Sequence, residues 1–255
     1  MCTVLLLLRP GDPWPLRIGA NRDERLDRAF EPPGRHWPEL PRIVAGRDVA
    51  GGGSWFGVND DGVVATIVNG MDRLGPLPGK ASRGSLVLRA LREHSARTAA
   101  DAVAALEARD YRGFTLLIAD RADAFALSSD ERTIRVDALA PGHHMVTPDG
   151  VDVPASPRFA LHFDAFRAAP PPDPARGDWN AWTDLLRHAD EDDPHRAMTV
   201  AVPEHRFGTV CSMLLALPAA ADASPVLLFA NGPPTRAPYE PILAPRVQDA
   251  RVEGG

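Results

Sequence analysis

Lysine is almost absent from this chain: of 28 lysine and arginine residues only Lys80 is a lysine, which argues against a lysine Schiff base as its chemistry. Cysteine is nearly as scarce. Cys2 and Cys211 are the only two, too few for the dense disulfide framework of a small secreted domain. No apolar run approaches the ~18 residues of a membrane-spanning helix. The apolar run at residues 4–8 is too short for a signal-peptide core and has no basic residues before it. An excess of positive charge is missing too. The net charge of -6 and the pI near 5.7 lack the basic footprint of a nucleic-acid binder. Together these absences predict a cytoplasmic protein with no nucleic-acid partner and no membrane span.

What remains is an ordinary globular composition, 44% hydrophobic and 24% charged over 255 residues, enough chain for one large core. Residues 3–9 and 16–21 are strand-like and flank the turn-rich Gly11-Asp12-Pro13-Trp14-Pro15, which predicts a hairpin. Residues 25–53, rich in Pro, Gly and Arg, read as a long structured loop. A second hairpin is expected over 54–59 and 63–68, around Asp60-Asp61-Gly62. Helical spacing marks 85–94 and 99–110, the second with Thr98 as N-cap. Strands are expected at 114–119, 124–127 and 133–136, helices at 157–167 and 179–188, and further strands between 198 and 229. This order predicts an α+β protein with two sheets covered by helices on their outer faces. We expect a single αββα domain over residues 1–246 and a frayed tail over 247–255.

The chemistry gathers at strand ends. Once Met1 is trimmed, Cys2 carries a thiol of pKa ~8.5 and an α-amine of pKa ~7.7–8.0 on one residue. The amine then takes the thiol proton as sulfur attacks a carbonyl, so one residue is both nucleophile and base. The hairpin brings Asn21 and Asp23 back toward Cys2, where Asp23 is expected to accept a hydrogen bond from the α-ammonium or the thiol. Asn69 stands at the end of the second hairpin as a candidate oxyanion donor, or as a turn cap before Gly70. Thr209 is a further polar candidate. Arg22 and Glu24 alternate with Asp23 and are expected on the opposite face as an ion pair. His143-His144-Met145 offers metal-ligating types, but neighbours on a strand face opposite sides, so no metal site is expected. The run Gly51-Gly52-Gly53 lacks the spacing of a phosphate loop and reads as a tight backbone path into the strand of Trp55.

Met1-Cys2-Thr3, Ala20-Asn21-Arg22-Asp23-Glu24, Ala45-Gly46-Arg47-Asp48, Gly53-Ser54-Trp55-Phe56-Gly57-Val58, Asn69 and Ser82-Arg83-Gly84 resemble, in order, the signature segments of the NRDE proteins, the transport and Golgi organisation family. The resemblance is dense over residues 1–115, and Arg206-Phe207-Gly208-Thr209 extends it. That family is similar to the cysteine branch of the N-terminal nucleophile hydrolases, which contains conjugated bile acid hydrolases and penicillin V acylases. The resemblance implies a four-layer αββα sandwich with Cys2 as nucleophile, Asp23 as its orienting carboxylate, Asn69 as oxyanion donor and Asn21 flanking the site. The hydrolases carry an arginine of their catalytic set where this chain has Ala20. Two activities of different class follow. One is hydrolysis of a non-peptide amide bond in a small-molecule amide or acyl ligand, with no cofactor. The other, from the family's links to haem trafficking and acyl-CoA or lipid homeostasis, is a non-catalytic carrier or chaperone of haem or acyl-CoA.

Overall fold

The apolar run after Cys2 is too continuous to alternate between core and solvent. The computed structural model, which describes residues 2–70 and 75–244, places it as β1 (Thr3–Leu8), a central strand buried on both faces. Val4, Leu6 and Leu8 enter one core cluster, and Leu5 and Leu7 enter another with Phe166, Trp182 and Leu186. β2 (Leu16–Arg25) returns antiparallel to β1 with Thr3 opposite Asn21, closing the expected hairpin.

The chain continues through β3 (Phe30–Gly34), β4 (Ile43–Asp48), β5 (Phe56–Asn59), β6 (Val64–Asn69), α1 (Gly84–Ala90), α2 (Ala96–Ala104), β7 (Phe114–Ala119), β8 (Ala124–Ser129), β9 (Ile134–Leu139), β10 (Gly142–Thr147) and β11 (Gly150–Val151). It ends with α3 (Pro157–Ala168), α4 (Asn180–Arg187), β12 (Ala201–Val202), β13 (Phe207–Leu217), β14 (Val226–Ala230) and β15 (Glu240–Leu243). Among the described residues, an 8-stranded sheet runs β11-β10-β1-β2-β13-β14-β15, with β12 paired to β13. A 7-stranded sheet runs in sequence order from β3 to β9. α1 and α2 pack on the second sheet, α3 and α4 on the first, and the larger apolar cluster runs between the sheets and on under α1 and α2. This is the four-layer αββα sandwich. No helix among the described residues is long and apolar enough to cross a membrane, and residues 247–255, expected as a frayed tail, lie outside them.

Three local departures from expectation have physical causes. The long loop at 25–53 contains two strands; β3 carries Pro32 and Pro33 and pairs with β4 through a register shift, which a sheet edge tolerates. α1 stops at Ala90 rather than near 94. The Asn59 side-chain amide donates to the carbonyls of Leu91 and Glu93, at 2.9 and 2.7 Å, and so captures acceptors that a longer helix would use. α2 begins at Ala96 rather than 99. Its N-cap is Ser95, whose Oγ accepts from the Thr98 amide at 3.2 Å, and Ala96, Ala99, Ala100 and Val103 form its buried stripe.

Two glycine contacts shape the side of the sandwich near Cys2. The Trp55 indole lies so close over Gly46 that a Cβ there would overlap the ring. A Cβ on Gly53 would run into the Gly84 backbone, where the Ser54 amide donates to the Gly84 carbonyl at 3.1 Å. The glycine run therefore does serve a tight path, one that presses the Trp55 strand against the start of α1.

Candidate active site

Strand alternation sorts the segment at residues 21–24 into two faces. Asn21 and Asp23 point toward the layer of α3 and α4, while Ala20 and Arg22 point between the sheets. Cys2 packs against the core between the sheets and lines a cavity of about 310 Å³. Arg22, Asp23, Glu24, Trp55 and Asn69 line the same cavity. The Cys2 thiol donates to the backbone carbonyl of Asp23 at 3.7 Å rather than to its carboxylate. Burial pushes this thiol above its ordinary value and the Asp23 charge adds to the push, while the Asp23 carbonyl contact and Arg22 act the other way.

Behind the thiol, Asp23 is buried and held from a distant strand. Thr209 on β13 donates its hydroxyl to Asp23 Oδ1 at 2.6 Å and accepts from the Val200 amide at 2.8 Å. Asp23 Oδ2 has no hydrogen-bond partner among the described residues, and an Arg158 guanidinium nitrogen lies 3.8 Å away. Burial raises the Asp23 carboxyl pKa, against the pull of Arg158 and the Thr209 hydroxyl. The pairing of Thr3 with Asn21, carried one step outward, sets Arg22 opposite Cys2 and Asp23 beside its N-terminal side. Arg158 is the residue that sequence reasoning missed. It stands at the start of α3, 2% exposed, and donates to Thr3 Oγ1 at 2.7 Å and to the Pro194 carbonyl at 3.1 Å.

Asn21 is placed differently from the flanking role that the resemblance implied. It is not among the residues lining the cavity. Its amide nitrogen donates to the carbonyls of Leu186 and Met198 at 2.9 and 2.8 Å, and its oxygen accepts from Ser212 at 2.6 Å. With its donors and acceptor engaged, Asn21 fastens β2 to α4 and to the chain leading into β12. Asn69, at the end of β6, does line the cavity.

Arg22 sits on the opposite face from Asp23, as alternation predicted, but its partners are more than an ion pair. Its guanidinium carbon is 4.2 Å from the Trp55 ring centroid and 5.4 Å from that of Phe30, with Glu24 at 3.8 Å. Glu24 also faces Arg28 at 3.6 Å, and Arg28 pairs with Asp48 at 2.7 Å. Lys80, Arg83 and Arg112 add cationic side chains to the wall; burial, with Arg112 nearby, holds Arg83 down to about 10. The Ser82-Arg83-Gly84 segment was the available sequence signal for that wall. A second, larger cleft of about 970 Å³ adjoins the cavity, sharing Glu24, Arg28, Asn69, Gly75 and Pro76 with it. Its further walls include Pro148, Pro194, Val202 and Phe207.

The remaining candidates resolve structurally. His144 pairs with Asp152 at 2.6 Å, and the His143 ring meets Phe166 edge-on. No grouping among the described residues is suited to hold a metal ion. Cys211, buried opposite Arg22 on the far side of β2, has its thiol pushed up to about 12 by burial. Two strand spacings, roughly 9–10 Å, separate it from Cys2, beyond the reach of a disulfide, and both cysteines are free.

The family described as "Transport and Golgi organisation 2" matches residues 1–161. No curated protein matches the chain. Among solved structures, it is similar to penicillin V acylase from Agrobacterium tumefaciens, with 12% identity, 90% of this chain and 83% of that one covered, and a TM-score of 0.53. It is also similar to the Caenorhabditis elegans ortholog of N-acylethanolamine-hydrolyzing acid amidase, with 12% identity, 87% and 94% covered, and a TM-score of 0.55. At these identities the likeness carries the fold, that of the N-terminal nucleophile hydrolases.

Proposed function

The chain belongs to the Transport and Golgi organisation 2 family, and from that premise we propose that it is a cysteine amidohydrolase of the N-terminal nucleophile kind, acting in the cytoplasm on a small-molecule amide whose carbon–nitrogen bond is not a normal peptide bond. The observation that carries the reading is the Cys2 thiol lining a cavity while the buried Asp23 carboxylate, one oxygen unpartnered, lies behind it.

Removal of Met1 frees the α-amine of Cys2 beside Asp23. The amine takes the thiol proton, and sulfur attacks the amide carbon as the carbonyl oxygen gains charge. Asn69 donates its side-chain amide to that oxygen, and Asp23 Oδ2 accepts from the new α-ammonium. Collapse of the tetrahedral intermediate breaks the carbon–nitrogen bond, and the leaving amine takes the ammonium proton. Water, deprotonated by the same α-amine, then cleaves the acyl-cysteine thioester and restores the thiol. Before trimming, Cys2 has no free α-amine to take the thiol proton, so the unprocessed chain is expected to be idle.

A second reading is favoured by the cleft of about 970 Å³ beside the cavity, which is large enough for a bulky ligand. On that reading the same fold carries haem or acyl-CoA without turnover. Intact-mass spectrometry before and after a brief pulse of thiol-selective electrophile, followed by a panel of N-acyl amides, separates the two. Loss of Met1, rapid labelling of Cys2 alone, and amide turnover that Cys2→Ala abolishes without unfolding support the hydrolase. A slow Cys2 and no turnover, with a Soret change on hemin titration or calorimetric binding of acyl-CoA, support the carrier.

A further inference from the structure

We infer that Arg158 is a positioning residue for the nucleophile: from α3 it ties Thr3, the neighbour of Cys2, to the Asp23 carboxylate, and so fixes both the thiol-bearing backbone and the group that receives the α-amine. The inference rests on reading Cys2 as the functional nucleophile, and it concerns how that residue is held.

The side chain is almost entirely buried, an expensive place for a cation that cannot shed its proton. One guanidinium nitrogen spans two strands, 2.7 Å from Thr3 Oγ1 on β1 and 3.8 Å from Asp23 Oδ2 on β2. These two residues flank Cys2, one along the chain and one across the hairpin. Arg158 also has a charge task. Burial favours the neutral form of Asp23, and a neutral carboxyl is a poor acceptor for an ammonium; a nearby fixed cation opposes that drift. Thr209 secures the other oxygen, so carboxylate and guanidinium are set from two separate elements. The guanidinium is itself steadied by the carbonyl of Pro194, a residue that lines the larger cleft. A ligand seated in that cleft therefore touches the loop on which Arg158 rests.

A purely structural arginine and a positioning one differ in what replaces them. An apolar isostere satisfies a structural role, whereas positioning requires the charge and its donor. The test is the rate of single-site alkylation of Cys2 in the full, trimmed protein, read beside the melting temperature, with kcat and KM on any amide that is turned over. Arg158→Met is expected to slow Cys2 labelling by at least about tenfold, the equivalent of one pKa unit. It should lower kcat in step and leave KM and the inertness of Cys211 unchanged, and Arg158→Lys should recover most of the loss. Thr3→Val leaves the guanidinium in place but unfastened from β1, and it is expected to slow labelling by a smaller factor. It is the deciding variant if Arg158→Met does not fold. Parental labelling rates in folded Arg158→Met, or in Thr3→Val where that variant decides, overturn the inference. Because labelling needs no substrate, the outcome is separate from the amidohydrolase reading, which falls if no amide is cleaved while Cys2 still depends on Arg158.

Discussion

The two faces of residues 21–24 differ in what surrounds them. On the face toward α3 and α4, Asn21 is saturated by Leu186, Met198 and Ser212, and Asp23 is gripped by Thr209 with Arg158 close by. On the face between the sheets, Arg22 lies on the Trp55 and Phe30 rings, and Glu24 balances Arg22 and Arg28 at longer range along the cavity wall. Four consecutive residues thus hold two interleaved instructions. The odd positions hold the strand in place and back the nucleophile, Asp23 reaching the cavity as well; the even positions build the cavity wall between the sheets. Substitutions at odd positions should therefore cost stability, and substitution of Glu24, the more exposed even position, should cost function with little stability lost.

The largest effect is expected at Asp23. Asp23→Ala removes the buried carboxylate that Thr209 grips and that faces Arg158 at 3.8 Å, taking a buried hydrogen bond and a buried ion pair together, so the loss should be about 3–5 kcal/mol in chemical denaturation. The reverse deletion is milder, because Asp23 can take up a proton when Arg158 is removed. The same carboxyl has a pH signature. Its folded pKa is raised above the ordinary 3.8 by burial, so its contribution to stability is full below the unfolded value and is lost as pH rises through the folded one. The stability of the parent relative to Asp23→Asn should therefore fall as pH rises above about 4, read as the difference between their denaturation midpoints at each pH. Next comes Asn21→Ala, which takes the donor from the buried Met198 carbonyl, while the Leu186 carbonyl keeps the Thr199 hydroxyl and Ser212 keeps the Ala20 carbonyl and Tyr239, and which should cost about 1–3 kcal/mol. If Asn21→Ala were nearly neutral in stability yet removed Cys2 reactivity, the division between the faces would fail.

How much of this was legible in the sequence depends on the distance between partners. The β1–β2 hairpin was readable because its partners are joined by one short turn, and the alternation of Arg22 and Glu24 against Asp23 follows from strand geometry alone. The role of Asn21 was not, because its acceptors Leu186 and Met198 are backbone carbonyls 165 and 177 residues away, and backbone carries no residue-type signal. Arg158 was hidden for a related reason. It meets Thr3 across 155 residues, and with His162 it makes the buried stripe of α3 partly polar, so the helix showed neither a strong apolar face nor a recognisable motif. β3 does not read as a strand because consecutive prolines mask an edge strand that pairs only intermittently. The Gly46 contact shows the opposite case. The residue stands out in the sequence, but the reason for it, an overlying Trp55 ring that supports Arg22, needs the fold.

The smallest stability effect, and the sharpest test of the comparison, belongs to Glu24. Its carboxylate stands 3.8 Å from Arg22 and 3.6 Å from Arg28, with a side chain that solvent still reaches. Partly exposed pairs at such separations contribute at most about 1 kcal/mol, and Arg28 keeps its closer partner Asp48 whatever happens at position 24. Glu24→Gln keeps the shape and removes one negative charge from a wall that also carries Lys80, Arg83 and Arg112. The variant should therefore unfold within about 1 kcal/mol of the parent. Its trimmed form should label faster with an anionic electrophile such as iodoacetate relative to neutral iodoacetamide, because the cavity has become more positive. A ratio equal to the parent's would mean that the even face does not set the field at the thiol. A large loss of stability would mean that Glu24 belongs with the odd positions, and that the alternation between holding and lining ends at Asp23.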